Sequence, residues 1–363
     1  MSRFPLLVAV ALTTCAVTAQ VSSTIPAALA THEGDSWHFM PLGNSNARFQ
    51  HLYATSEIEI GTGKTLVGMN YRKEGYYRKI YLATKINTVI RLQETRFNTT
   101  TNIWPLDFTR ALGAPTNPTK TVFKGTIELP TYFAPAVPYQ DFGNDIARIS
   151  FQTPYIYKGG NLLLDIANLD ASKTNTATGH NVDRYYGGST TSTLTSFRGQ
   201  DCGLTIGITP SGCMPGGSLE QNSSGTAAAG LPSVLMVGTG PGQFLDLGKL
   251  LGKTGNGCWL AINPAVSIGG KMDAAGKMTT KIPLPKLEAL AGVWASVQFF
   301  ALDAKTPIIH GSAAGSRLIT ASGGRPTDSG YQYWYGSGDP LAASTVPSGQ
   351  WNNRGQTLVL HHH

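Results

Sequence analysis

Apolar and polar residues alternate along this chain in short blocks, and Gly, Pro, Ser and Thr punctuate nearly every block. The most informative stretch runs from Thr153 to Leu169. Tyr155, Ile156 and Tyr157 suit a strand, Gly159-Gly160 marks a turn, and Leu162 to Ile166 is an apolar run broken only by Asp165. A run this short, bounded by turn residues, predicts a strand buried on both faces, since a helix needs roughly ten or more residues. The stretch reads as a hairpin at the centre of a large N-terminal β-domain.

Similar patterns recur on both sides. Ile58, Ile60 and Leu66 alternate with Glu57, Glu59 and Lys64 around Gly61-Thr62-Gly63, which predicts a second hairpin. Val67 to Tyr71, Arg78 to Thr84, Ile86 to Thr95, Val122 to Leu129, Ile146 to Phe151 and Leu204 to Ile208 read as further strands. Pro130 to Pro138 reads as a connection. Beyond Pro215-Gly216-Gly217 the composition shifts, and Ser233 to Val237, Cys258 to Ile262, Met278 to Ile282, Val293 to Leu302 and Arg317 to Thr320 give strands at regular spacing, with one helical turn at Glu288 to Gly292. The expected fold class is all-β: two β-sandwich, jelly-roll-like domains over residues 20–214 and 215–323, followed by an aromatic, Gly/Pro-rich tail over 324–363.

Composition sharpens this picture. Charged residues are 13% of the 363, while Gly 42 and Pro 21 are abundant. Few charges with many turn residues favour short strands, and the 41% hydrophobic content argues against disorder. The net charge is +7, but Lys and Arg are scattered singly, which argues against a nucleic-acid partner. Arg3 followed by apolar residues to about Val17, with Val17-Thr18-Ala19 as a small-residue site, reads as a signal peptide over residues 1–19. The expected localisation is secreted, extracellular or at the cell surface. The apolar run is too short to span a bilayer, so membrane insertion is not expected.

Export sets an oxidising context for Cys202, Cys213 and Cys258. The short Cys202–Cys213 loop is the expected disulfide, with Cys213–Cys258 as the competing pairing. Asp165, Asn168, Asp170, Asn181 and Asp183 supply hard oxygen ligands for a bound Ca²⁺, although Asn and Asp also serve simply as turn residues. Tyr331, Tyr333, Trp334 and Tyr335 form an aromatic segment that could stack on a sugar or another chain, or pack alternate rings as a strand. The terminal histidines read as a purification tag and are set aside. Gly238-Thr239-Gly240-Pro241-Gly242 resembles a dinucleotide loop, but Gln243 stands where the third glycine is required. Gly63-Lys64-Thr65 lacks the first glycine of a phosphate loop. No catalytic residues are assigned.

Three stretches carry a resemblance. They are His32-Glu33-Gly34 with Arg48-Phe49-Gln50-His51-Leu52-Tyr53; Thr153-Pro154-Tyr155 with Gly160 to Ile166; and Gly257-Cys258-Trp259-Leu260 with Ile282-Pro283-Leu284-Pro285 and Val297 to Asp303. On these the chain resembles a large group of uncharacterised secreted proteins abundant in planctomycetes and related bacteria. The resemblance implies export and a modular β-architecture, and it implies no reaction. The expected function is a secreted, non-catalytic β-sandwich protein that binds a glycan or other extracellular polymer. A structural subunit of a cell-surface layer or extracellular filament, built from copies of the chain, is the alternative. A secreted hydrolase is the second alternative.

Overall fold

The computed structural model describes residues 20–32, 34, 36–38, 41–44, 46–73, 80–98, 108, 118–133, 145–170, 180–186, 195–208, 213–250, 257–303, 305–306, 308–320, 330–335, 339–341, 347, 349–352, 354–356 and 358–363. The expected leader, residues 1–19, lies outside them. Among the described residues no helix is long and apolar enough to cross a membrane. The fold is all-β.

The first sandwich opens with β1 (Val21–Ile25), β2 (Ser36–His38), β3 (Asn46–Tyr53), β4 (Thr65–Arg72), β5 (Thr84–Thr95), β6 (Lys120–Leu129), β7 (Asp145–Ile156), β8 (Asn161–Leu169) and β9 (Val182–Tyr186). The second holds β10 (Thr195–Arg198), β11 (Thr205–Ile208), β12 (Ser218–Ser224), β13 (Pro232–Asp246), β14 (Trp259–Lys271), β15 (Lys277–Pro283), β16 (Trp294–Leu302), β17 (Ile309–Gly311) and β18 (Ala314–Leu318). The chain then returns to the first sandwich as β19 (Gly330–Tyr335), β20 (Gly349–Asn352), β21 (Arg354–Gln356) and β22 (Leu358–His362).

In the first sandwich a sheet ordered β1-β22-β4-β7 faces one ordered β20-β19-β3-β8-β5-β6. Ile25, Leu66, Met69, Ile149 and Leu360 from one sheet meet Ile90, Leu92, Leu162, Leu164 and Ile166 from the other in a single core. A small sheet, β2-β9-β21, completes this half. In the second sandwich β10-β18-β16-β13-β14 packs on β11-β12-β15, burying Leu219, Leu235, Val297 and Phe299.

Several expectations change here. The 324–363 segment is no tail, since β19 pairs with β3 and β22 lies between β1 and β4. The histidines set aside at the terminus include His361 and His362, which sit in β22 and hydrogen-bond the Ser22 and Ser23 hydroxyls at 2.7 and 2.9 Å. The boundary expected near 214 falls earlier, because β10 and β11 pair within the second sandwich. Local alternation predicts a strand but not its partner, which is set by pairing across the fold.

The central hairpin is also redrawn. β8 is buried along almost its whole length, as its apolar run requires, and lies between β3 and β5. It does not pair with β7, which belongs to the facing sheet alongside β4. The turn at Gly159 (φ +97°), a conformation glycine adopts without a Cβ penalty, carries the chain from one sheet to the other. The Gly61 region is likewise an inter-sheet connection, with Gly63 N–H donating to the Tyr157 carbonyl at 2.7 Å. Gly238 to Gly242 lies inside β13, where the register with β14 shifts. A Cβ on Gly238 would meet the Asn263 carbonyl oxygen at 1.9 Å, so close backbone approach explains that glycine.

The disulfide joins Cys202 to Cys258, with Cα atoms 5.4 Å apart. This corrects the Cys202–Cys213 expectation and its competitor. β11 follows Cys202 and carries Cys213 away into the core beside Leu204 and Leu219, where its thiol is free and burial pushes its pKa up to about 11. The two sandwiches meet where the His32 ring stacks on Trp294 at a centroid distance of 4.0 Å and Trp294 Nε1 donates to the Ala28 carbonyl at 3.0 Å. Leu29, Tyr185 and Leu318 close this joint.

Candidate functional site

The aromatic segment expected to present rings is a strand of the six-stranded sheet. Tyr331 is buried against Ala47 and Phe49, 5.0 Å from the His38 ring, and its hydroxyl accepts from Arg184 at 3.2 Å. Tyr333 packs on the same cluster, 5.6 Å from His38. Trp334 alternates to the opposite face and is half-buried. Tyr335 ends β19, and its side chain lies outside the described residues. Alternate rings packing on one face is the strand outcome of that motif. Tyr331 is a core residue and Tyr333 packs against it partly buried, so these two rings do not stand on an exposed platform.

The hard-oxygen residues are not brought together either. Asp165 sits beneath the sheet between two neighbours. Arg48 Nε and Nη2 donate to its two oxygens at 3.0 and 3.2 Å, and Arg91 Nη2 pairs with Oδ2. Asp183 instead serves the β2-β9 region, accepting from Gly34 N–H at 2.8 Å and Arg72 Nε at 2.8 Å. The Asn168 amide donates to the Pro41 and Asn44 carbonyls and accepts from Thr88. Asp170 follows the end of β8, and Asn181 precedes β9. Among the described residues no group of three or more His, Cys, Asp or Glu could hold a metal ion. Guanidinium groups thus neutralise Asp165 and Asp183 in separate sheets, and the described residues do not bring the expected Ca²⁺ ligands together.

An open cleft occupies one end of the first sandwich. Its volume is about 490 Å³, within the usual range for small-molecule sites. The start of β5 contributes Ala83, Thr84 and Lys85; the end of β6 contributes Glu128, Leu129 and Pro130; the start of β7 contributes Ile146, Ala147 and Arg148. Apolar walls thus carry three charged side chains at their rim. Lys85 Nζ donates to Glu128 Oε1 at 2.5 Å, and that bond holds the Glu128 carboxyl below the usual carboxylate range.

Beside the cleft, Tyr81 and Tyr132 exchange two backbone hydrogen bonds of 2.9 and 2.8 Å. This short ribbon turns both tyrosine rings inward, where Tyr81 lies 5.4 Å from His180 and Tyr132 Oη donates to the Ile146 carbonyl at 3.1 Å. Alternation then forces Ile80, Leu82 and Phe133 outward, and they are 60%, 69% and 71% exposed. Leaving such side chains in water forgoes roughly 1.5–3 kcal/mol each. Three of them gather beside the cleft through the Tyr81–Tyr132 pairing.

The sequence predicts a strand at Arg78 to Thr84 and a plain connection at Pro130 to Pro138; among the described residues before β5, the two stretches meet in the single Tyr81–Tyr132 bridge. The apolar triplet Ile80-Tyr81-Leu82 was the available signal. Which of its faces points outward depends on the Tyr81–Tyr132 pairing, which no local pattern encodes.

No protein-family model matches the chain, and no curated protein matches it. Among solved structures, a GH2 beta-galacturonidase from Eisenbergiella tayi bound to galacturonate is 8% identical with a TM-score of 0.21, covering 83% of this chain and 43% of that one. A "putative beta-galactosidase" from Bacteroides fragilis is 9% identical with a TM-score of 0.16, covering 80% and 35%. The chain spans less than half the length of either protein, and likeness at these scores carries no argument about the site.

Proposed function

We propose that this chain is a non-catalytic, extracellular β-sandwich protein that binds a glycan or related polymer at the cleft between β5, β6 and β7. The carrying observation is the pairing of an open cleft, lined by Lys85, Glu128 and Arg148, with the exposed Ile80, Leu82 and Phe133 beside it. Sugars present both apolar ring faces and polar hydroxyl edges. A wall of apolar side chains suits the first, and charged donors and acceptors at the rim suit the second. The test is retention of the purified chain on a panel of polysaccharides, with the Leu82→Ala/Phe133→Ala double variant as the comparison. Loss of retention in that variant, with an unchanged melting temperature, supports the cleft. Equal retention places the binding elsewhere.

One observation favours a second reading as a self-assembling surface subunit. β14 is an edge strand, Val266 on it is 56% exposed, and a Cβ built on Gly269 meets nothing within 4 Å. An uncovered edge of this kind accepts a neighbour's strand. Sizing and electron microscopy separate the readings: filaments or arrays favour assembly, and a clean monomer removes it as an intrinsic property.

A further inference from the structure

The cleft is one end of a longer feature. β6 and β7 are the edge strands of their two sheets and run antiparallel along the side of the first sandwich. Side chains close the gap between them. The Gln152 amide accepts from Lys124 N–H at 3.0 Å and donates to the Lys124 carbonyl at 3.1 Å, and Lys120 Nζ donates to the Pro154 carbonyl at 2.8 Å. This seam carries Lys120 and Lys124 along its length and Lys85 and Arg148 at the cleft, all exposed. The opposing carboxylate in the cleft is Glu128, which Lys85 already engages. Among the described residues, Lys120, Lys124 and Arg148 are in no ion pair.

We propose that the seam binds an anionic polysaccharide whose carboxylate or sulfate groups meet Lys120, Lys124 and Arg148. The proposal rests on the reading of the cleft as a glycan site and adds the class of glycan. Four observations support it. Among the described side chains the cations exceed the carboxylates along this side, so a polyanion gains charge neutralisation at several points. Lys120 to Glu128 spans about 26 Å at a strand's rise per residue, which suits a ligand with repeating charge. Gln152 occupies the backbone groups of Lys124, so an incoming peptide strand finds that position taken, whereas a polymer that engages side chains does not need it. Thr121, Thr126 and Ser150 are exposed between the cations, which suits a hydroxyl-rich partner.

The test is affinity electrophoresis of the purified chain through gels containing alginate, dextran sulfate or neutral dextran, with a single-stranded DNA oligomer as a further probe. Retardation by alginate or dextran sulfate is expected, and which of the two identifies carboxylate or sulfate as the charge read. Affinity is expected to fall about tenfold or more between about 50 and about 500 mM salt. The Lys124→Glu/Arg148→Glu variant is expected to lose about tenfold or more with an unchanged melting temperature. Equal, salt-insensitive retardation by dextran would overturn the anionic specificity and leave the glycan reading standing. Retention by no polysaccharide would overturn both. Full affinity in the charge-reversed variant overturns the seam, and tighter binding of DNA than of alginate overturns the saccharide.

Discussion

Two charged clusters in the first sandwich make opposite use of the same side chains. Under the six-stranded sheet, Arg48, Asp165 and Arg91 come from three adjacent strands, and the carboxylate is fully buried between its partners. At the cleft, Lys85 and Glu128 pair at the surface, both about 70% exposed, with Arg148 left over. The difference is solvent. A buried carboxylate must be matched because its desolvation costs several kcal/mol, and Asp165 on β8 is matched by Arg48 on β3 and Arg91 on β5. An exposed pair contributes little to stability, so its charges remain available to a partner. Charge that is buried and matched serves the fold, and charge that is open and in excess is what the proposed recognition would use.

The comparison breaks most visibly at Asp165. Asp165→Ala leaves Arg48 buried without its carboxylate, and a loss of about 3–5 kcal/mol is expected in urea unfolding. A loss below about 1 kcal/mol, the range of an exposed pair, would erase the distinction.

A second buried group sharpens it through pH. Burial, with Arg72 and then Arg198 nearby, lowers the His32 pKa from 6.5 to about 4. Between those values the unfolded chain binds more protons than the folded one. Stability from this group is therefore complete above about pH 6.5 and falls as pH drops toward 4, by about 3 kcal/mol in all. His32→Gln is expected to flatten that part of the stability–pH curve. An unchanged curve would show that the His32–Trp294 joint does not carry the charge penalty.

At the open cluster the expected effects on stability are small. Leu82→Ala/Phe133→Ala is expected to leave the unfolding free energy within about 1 kcal/mol of the parent, since both side chains are already in water. Smallest of all, Glu128→Gln is expected to leave the unfolding free energy unchanged while strengthening alginate retention, because it removes the carboxylate at the cleft. Weakened retention would mean that Glu128 accepts hydrogen bonds from the ligand instead.

Much of the fold is legible in the sequence, in physical terms. Val122 to Leu129 and Met278 to Ile282 alternate apolar with polar residues, and both are strands with matching burial. The Leu162 to Ile166 run is a doubly buried strand as read. Pairing was not legible. Gly159-Gly160 looks the same whether it closes a hairpin or crosses between sheets, and Cys202 lies nearer in sequence to Cys213 than to its true partner Cys258. Which side chains face water was not legible for the same reason. Tyr331 is conspicuous by composition yet lies in the core with Tyr333 packed against it, whereas Ile80, Leu82 and Phe133 read as ordinary strand and loop residues and the Tyr81–Tyr132 pairing turns them outward.

The most direct test of the cleft is amide hydrogen exchange of the whole chain with and without alginate. The account predicts added protection at residues 83–85, 128–130 and 146–148, with little change along β19 and β14. Protection concentrated at residues 331–335 or 263–271, with none at the cleft, would contradict it.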